Sequence, residues 1–373
     1  MLVQRRKWHG FTLVELLVVI TIIGILIGMV MPAVQSARER ARVMECSNKI
    51  KEITKAMLLF ESGHNVLPVN WGGVPPAGWY PPSANPPSAN STASFDPDTG
   101  GPSTVGQSWQ TMILPQLDSA VLYNQIAIAK DLNTQKVSGA TDQTTGTTIT
   151  NLTIAGTYLP IFVCPTDGSA HTSTNQLLDT GQPIAVTNYK ASIGSNWDTA
   201  PVPPMPTAKM RSTQGRNNKT ITSVPASNGA TDPRDLCNGL ICRGWRKNNN
   251  YPLFTTSMAD IQDGTSATFA VGETLPQFCA FASWYWFNGS GATVSIPLNW
   301  VRNPSNVSGA DLRQKTSDIP TRSGFMSMHS GGGNFSFCDG HVKFITENID
   351  INTYLALGTI QGGDTVDPTT FSP

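Results

Sequence analysis

Charge is the scarcest property of this chain. Only 13% of its residues are charged, and 25 Lys plus Arg balance 25 Asp plus Glu to a net charge of zero. Such a balance offers nothing to a nucleic-acid backbone or an acidic substrate. Zinc-type ligand spacing is missing too, since the six cysteines form no CxxC and no Cys/His pattern of that kind. Neither a nucleophile elbow nor an HExxH helix is present, so the usual hydrolase signatures are absent. No cofactor motif is found and no cofactor is expected. What is plentiful is Gly (33) and Pro (27), with Ser, Thr and Asn filling the middle. That composition reads as short strands joined by many loops, and as an extracytoplasmic surface protein rather than a helical bundle. At 373 residues the chain is long enough for a sizeable core and more than one structural unit.

The N-terminus departs from this pattern. Residues 1–10 form a basic leader carrying Arg5, Arg6 and Lys7 and ending at Gly10. Residues 11–31 are almost wholly apolar with one charge, Glu15. At 1.5 Å per residue they span about 31 Å, the hydrocarbon thickness of a bilayer. The preceding cations place the N-terminus in the cytoplasm and the body outside. A cleaved secretory signal is one reading, but its apolar core is shorter and ends in a small-x-small site. An uncleaved anchor is another. Glu15 bears on the choice, because a carboxylate in the membrane costs about 2.5–3.5 kcal/mol without a partner. Were the chain cut after Gly10, the new amine of Phe11 would be a cation in the same layer, within reach of Glu15 from a neighbouring copy.

Gly10-Phe11-Thr12-Leu13-Val14-Glu15 resembles the type IV prepilin cleavage and methylation signature. The resemblance implies a membrane prepilin peptidase that cuts after Gly10 and methylates Phe11, and a Glu15 that guides subunit docking. It also implies a helix-kinking role for Pro32.

Past Pro32, the apolar residues Val43, Cys46, Ile50, Ile53, Met57 and Phe60 recur at spacings of three and four. Arg38, Arg40, Arg42, Glu45, Lys49, Lys51, Glu52 and Lys55 fill the other faces. The stripe is either a coiled-coil seam or, as favoured here, the edge that packs on the protein's own body. Residues 32–62 thus continue the membrane helix as an amphipathic spine, giving one helix of roughly 78 Å from residue 11 to 62.

Residues 63–373 form the extracytoplasmic head. Within it, residues 68–106 are a Pro/Gly/Ser-rich loop with a tandem Pro-Pro-Ser-Ala-Asn. Residues 108–130 read as helical, broken at Pro115 and capped at Asp118 or Ser119. Residues 138–157 read as turns and edge strand, and residues 158–164 as a short buried strand ended by a turn. Asp260 and Asp263 lack the run of oxygen donors that a calcium loop needs and read as turn caps. Residues 323–346 are expected to form a three-stranded β-meander. Folding at Asp339-Gly340 sets Phe337 opposite Val342 and Phe335 opposite Phe344; folding at the glycine loop sets Met328 opposite Phe335 and Met326 opposite Phe337. All six apolar residues then share the face laid on the spine. His329, Asp339 and His341 offer a weak metal set, with His329 read instead as closing the glycine loop on backbone.

His329, nine residues, then Asp339-Gly340 resembles a motif of prepilin-type processing proteins. With Ile161-Phe-Val-Cys-Pro-Thr-Asp167 and Asp260-Ile-Gln-Asp-Gly-Thr-Ser266, the chain resembles the DUF1559 family of prepilin-like proteins. The likeness skips the proline insert and residues 201–250. It implies an α+β pilin-like fold, a long N-terminal helix on a mostly antiparallel sheet head with long loops, and no established activity. Cys46 on the stripe and Cys164 at the end of the buried strand, both within these blocks, are expected to pair and tie head to stalk. Cys237 and Cys242 are placed to close a small loop, or all six remain buried thiols.

Three functions compete at this point. One is a pseudopilin-like subunit of a type II secretion or type IV pilus-like system, in the bacterial inner membrane with a periplasmic head. Its partners are the membrane, the prepilin peptidase and copies of itself or other pilin-like subunits. A second is a membrane-tethered binding module that uses the leader only for export. The third, an extracytoplasmic hydrolase, has no motif behind it.

Overall fold

The computed structural model describes residues 12–72, 107–127, 141, 148–169, 171–173, 183–195, 237–245, 255–279, 282–286, 289–300, 323–363 and 366. The leader with Gly10 and Phe11, most of the proline-rich loop and most of residues 201–250 lie outside them.

Helix α1, Leu13–His64, is continuous over 52 residues, with Pro32 inside it. Its start is a capping box: Thr12 Oγ1 accepts the Glu15 N–H, and the Glu15 carboxylate accepts the Thr12 N–H at 2.9 Å. It stops at Asn65, whose left-handed backbone (φ 59°) Asn tolerates better than most residues. The helix has two halves of opposite character. Residues 13–38 are exposed along their whole length. From Cys46 on, one face is buried: Cys46, Ile50, Ile53, Ala56, Met57 and Phe60. The apolar stripe therefore packs against the protein's own body, as its spacing favoured.

The described strands, in chain order, are β1 Asn70–Gly72, β2 Thr172–Ser173, β3 Ile184–Ala185, β4 Tyr189–Gly194, β5 Arg243–Trp245, β6 Phe269–Glu273, β7 Gly291–Thr293, β8 Gly332–Phe337 and β9 Val342–Thr346. Five of them make the main sheet in the order β7-β4-β6-β8-β9. All its pairings are antiparallel except β4 with β7. The described residues of the head also form four short helices: α2 Trp109–Met112, α3 Ala120–Gln125, α4 Asn151–Ala155 and α5 Ile351–Leu357. The fold is α+β and pilin-like, a long apolar helix followed by a mostly antiparallel sheet.

The sheet is covered on both faces. On one side the α1 seam shares a core with Tyr189, Ala191, Val271 and Trp284. On the other, Phe269, Phe325, Phe335, Phe337 and Ile345 pack on Tyr354, Leu355 and Leu357 of α5. A register shift between Phe269 and Val271 separates the two roles of β6. Phe269 joins the far core, while Val271 joins the helix side.

This corrects the expected C-terminal meander. Residues 325–329 are not a strand, and β8 and β9 pair one residue out of the expected register: Ser336 faces Val342 and Phe335 faces Lys343. The cause lies in the turn. Its loop is one residue longer than a two-residue Asp-Gly hairpin: Gly340 N–H bonds Phe337 O, Phe337 N–H bonds His341 O, and Gly340 takes φ 92°. Alternation along β8 then sends Phe335 and Phe337 to α5 and leaves polar Asn334 and Ser336 facing α1. The spine therefore lies on the polar face of this strand.

Other segments also differ. Pro160–Phe162 is a 3₁₀ turn rather than a strand, with Pro160 in its first turn, where its missing N–H costs nothing. Where turns and edge strand were expected, α4 forms behind a Thr150/Thr153 capping box. After α2, a 3₁₀ turn at Leu114–Leu117 takes Pro115, Asp118 adopts φ 54° and α3 begins past Ser119. Asp260 caps Ser257, and the Asp263 carboxylate accepts from Gly362 and Gly363 N–H, so both spend their oxygens on turns.

Candidate functional site

The residues singled out from sequence sort into three places. Gly10 and Phe11 lie outside the described residues. Glu15 sits in the first turn of α1, on Thr12, at the head of the exposed apolar stretch that is long and apolar enough to cross a membrane. Pro32 lies farther along that exposed half, and the rest belong to the head, where Cys46, Cys164 and His329 sit at the point at which α1 first meets the sheet.

That joint is built from four elements. Cys46 of α1 is disulfide-bonded to Cys164, which follows the 3₁₀ turn, with Cα atoms 5.5 Å apart and a sequence separation of 118. Val163 O accepts the Lys49 ammonium at 2.9 Å beside it, so the same turn is held twice to the helix. His329, fully buried, reaches Glu39 of α1 through Nδ1 at 2.8 Å. Its Nε2 lies 3.5 Å from Glu273 Oε1 and 3.7 Å from Cys164 Sγ. Glu273, at the end of β6, is buried as well, and Asn334 holds it through its backbone N–H (3.2 Å) and Nδ2 (2.9 Å).

The electrostatics follow from this geometry. Burial is the largest single influence on His329 and pushes its imidazole pKa down. Hydrogen bonds and charge from Glu273, then from Glu39, together outweigh it and hold the pKa above the ordinary value. His329 thus bridges two carboxylates from opposite sides of the helix–sheet interface. This replaces the expectation that it closes the glycine loop on backbone.

His329 is not brought together with Asp339 and His341. Strand β8 separates them, six residues or roughly 20 Å of extended chain. Asp339 is used locally: its Oδ1 accepts from His341 N–H at 3.0 Å and lies 2.6 Å from His341 Nδ1, while His341 stacks on Phe337. Cys237 and Cys242 form a second disulfide.

Two participants escaped the sequence reading. Glu39 lies four residues before Val43, so the three-and-four spacing of the seam, extended backward, lands on it. Glu273 ends an apolar strand, a position where an acid calls for a buried partner.

An exposed apolar helix that runs without a break into the buried seam of a sheet domain defines a pilin-like architecture. The chain belongs to the family described as "Protein of unknown function (DUF1559)", whose model matches residues 35–352. A second model, the prokaryotic N-terminal methylation motif, matches residues 5–31. Among curated proteins it is similar to the type II secretion system core protein G of Pseudomonas aeruginosa, 37% identical over 71 residues. The protein of that name from Aeromonas hydrophila is 32% identical over the same length. Each match covers 19% of this chain, and the chain spans about half the length of these relatives (50%). No solved structure matches it.

Proposed function

We propose that this protein is a non-enzymatic, membrane-anchored pilin-like subunit, cut after Gly10 and methylated on Phe11 by a prepilin peptidase. The apolar stretch crosses the bacterial inner membrane once, N-terminus inside, and the head stands in the periplasm. The carrying observation is the methylation motif over residues 5–31 leading directly into one continuous helix, half exposed and apolar, half seam of the head. The similarity to type II secretion core proteins supports assembly with copies of itself or other pilin-like subunits. In the separate subunit Glu15 is satisfied by Thr12. On docking it exchanges that cap for the Phe11 amine of a neighbour, so its in-membrane charge is never left alone.

The test is the mature N-terminus by mass spectrometry, wild type beside Gly10→Ala, in a host with active prepilin peptidase. A chain beginning at methylated Phe11, lost in Gly10→Ala, is expected. An intact leader in the wild type overturns the reading. Cysteines placed near Phe11 should then give crosslinked ladders; processed protein that yields none is a tethered binding module instead.

A further inference from the structure

The sulfurs of Cys46 and Cys164, His329 Nε2 and a Glu273 carboxylate oxygen converge from four elements, all four residues buried, and these atoms lie within 4.8 Å of one another. We propose that, with the two cysteines reduced, this cluster binds a divalent cation of the zinc class. The site lies in the head and does not depend on the proposed processing or assembly.

Geometry carries the inference. Metal–ligand bonds of about 2.0–2.3 Å put the corners of a tetrahedral zinc site about 3.3–3.8 Å apart. Two edges already have that length: Nε2 to Cys164 Sγ at 3.7 Å and Nε2 to Glu273 Oε1 at 3.5 Å. Two sulfurs, one imidazole and one carboxylate form the mixed, partly soft donor set that suits zinc over magnesium or calcium. The outer contacts match as well. Glu39 accepts the Nδ1–H at 2.8 Å, which leaves Nε2 to face the cluster, the carboxylate–histidine pairing that orients metal-bound imidazoles. Asn334 positions the Glu273 carboxylate from the far side.

The disulfide and the cation exclude each other. In the bonded state neither sulfur is a thiolate, and His329 alone bridges the two carboxylates. Reduction moves two electrons and two protons from a dithiol reductant to the Cys46–Cys164 bond, and the reductant becomes a disulfide. The cation then displaces both thiol protons to water, and the sulfurs separate from about 2 Å to about 3.8 Å. Cys164 borders an open groove lined by Glu45, Lys49, Tyr158, Asp167 and His171, which gives reductant and cation a route in. The same joint therefore closes by a covalent bond or by a metal, according to the redox state of the chain.

The experiment uses the full chain in detergent, reduced under anaerobic conditions and titrated with Co²⁺, then with Zn²⁺. Expected are the visible absorption of tetrahedral cobalt with thiolate charge transfer, its loss on adding Zn²⁺, and no such band in the oxidised protein. His329→Gln should abolish the band. Glu39→Gln, a positioning change, should keep its shape and weaken binding about tenfold. A readout needing no variant is alkylation of reduced wild type: Zn²⁺ should protect Cys46 and Cys164 and leave Cys237 and Cys242 reactive. An octahedral cobalt spectrum, equal alkylation with and without Zn²⁺, or a band unchanged in His329→Gln overturns the proposal.

Discussion

His329 and Glu39 face each other across the boundary between stalk and head, Nδ1 to Oε1 at 2.8 Å, with the histidine buried and the carboxylate side chain 35% exposed. Among the described residues the contact is the most N-terminal polar tie between α1 and the sheet domain, one helical turn before Val43 of the apolar seam. Because the partners differ in burial, their removal should differ in cost. His329→Ala leaves Glu273 charged and buried, which should destabilise the oxidised protein by about 3–5 kcal/mol. Glu39→Ala removes one charge-assisted hydrogen bond from a site with a second carboxylate, about 1–2 kcal/mol. Denaturant unfolding of the full chain in detergent would separate the two, and equal costs would contradict this division of labour.

The two disulfides should contribute unequally. Cys46–Cys164 closes 118 residues of separation, against 5 for Cys237–Cys242. Loop entropy alone favours the long one by about 3 kcal/mol. Cys46→Ser with Cys164→Ser should therefore lower the unfolding free energy far more than Cys237→Ser with Cys242→Ser. Alkylation of denatured, unreduced protein should label Cys279 and Cys338 and spare the other four. In the native state Cys338 should resist as well. Its burial, then the charge of Asp339, pushes the thiol pKa well above its usual range, so almost no thiolate forms.

The polar face of β8 predicts a coupled pair. The Thr54 and Ser336 hydroxyls meet at 2.6 Å inside the helix–sheet interface, and Ser336 Oγ also receives the Val271 N–H at 3.2 Å. Ser336→Ala leaves that N–H at the bulge unsatisfied, for about 1–3 kcal/mol. Thr54→Val keeps the shape and loses less. A double-mutant cycle should give a coupling near 1 kcal/mol; additive costs would mean that the hydroxyls do not act on each other.

How far the sequence could be read depended on what kind of signal each element leaves. The seam from Val43 to Phe60 was legible because helical periodicity survives over five turns, and the partners Cys46 and Cys164 stood out by position. The Asp339-Gly340 turn was legible as a turn, but its loop length was not. One extra residue, stabilised by the Asp339 carboxylate on the His341 N–H, turns Val342 and Phe344 onto the β8 face of Ser336 and Asn334 instead of that of Phe337 and Phe335. Helix α5 is two turns long and carries no periodic signature, so the second core behind Phe335 and Phe337 stayed hidden. Glu39 and Glu273 were missed because an isolated acid in sequence reads as surface. Their meaning comes from His329, 290 and 56 residues away, which only the fold brings between them.

Alkaline pH tests that hidden core. Tyr354 stands fully buried against Phe269 and Phe335, and its hydroxyl finds no hydrogen-bond partner among the described residues. Burial raises its pKa well above 10.0. Tyr189 is raised too, by burial and then by the charges of Glu273 and Glu45. The unfolded chain loses these protons near the ordinary value of 10.0, while the folded chain keeps them. Stability is thus fully present below that pH and falls above it, by about 1.4 kcal/mol per pH unit for each such group. Tyr354→Phe deletes an unsatisfied hydroxyl and one titrating group together. Near neutral pH it should be neutral or slightly stabilising. In urea unfolding stepped from about pH 9 to about pH 11 it should shed one group's share of the alkaline loss. A variant as alkali-sensitive as wild type would mean that Tyr354 reaches water in the folded state, and that the α5 layer does not close over the sheet.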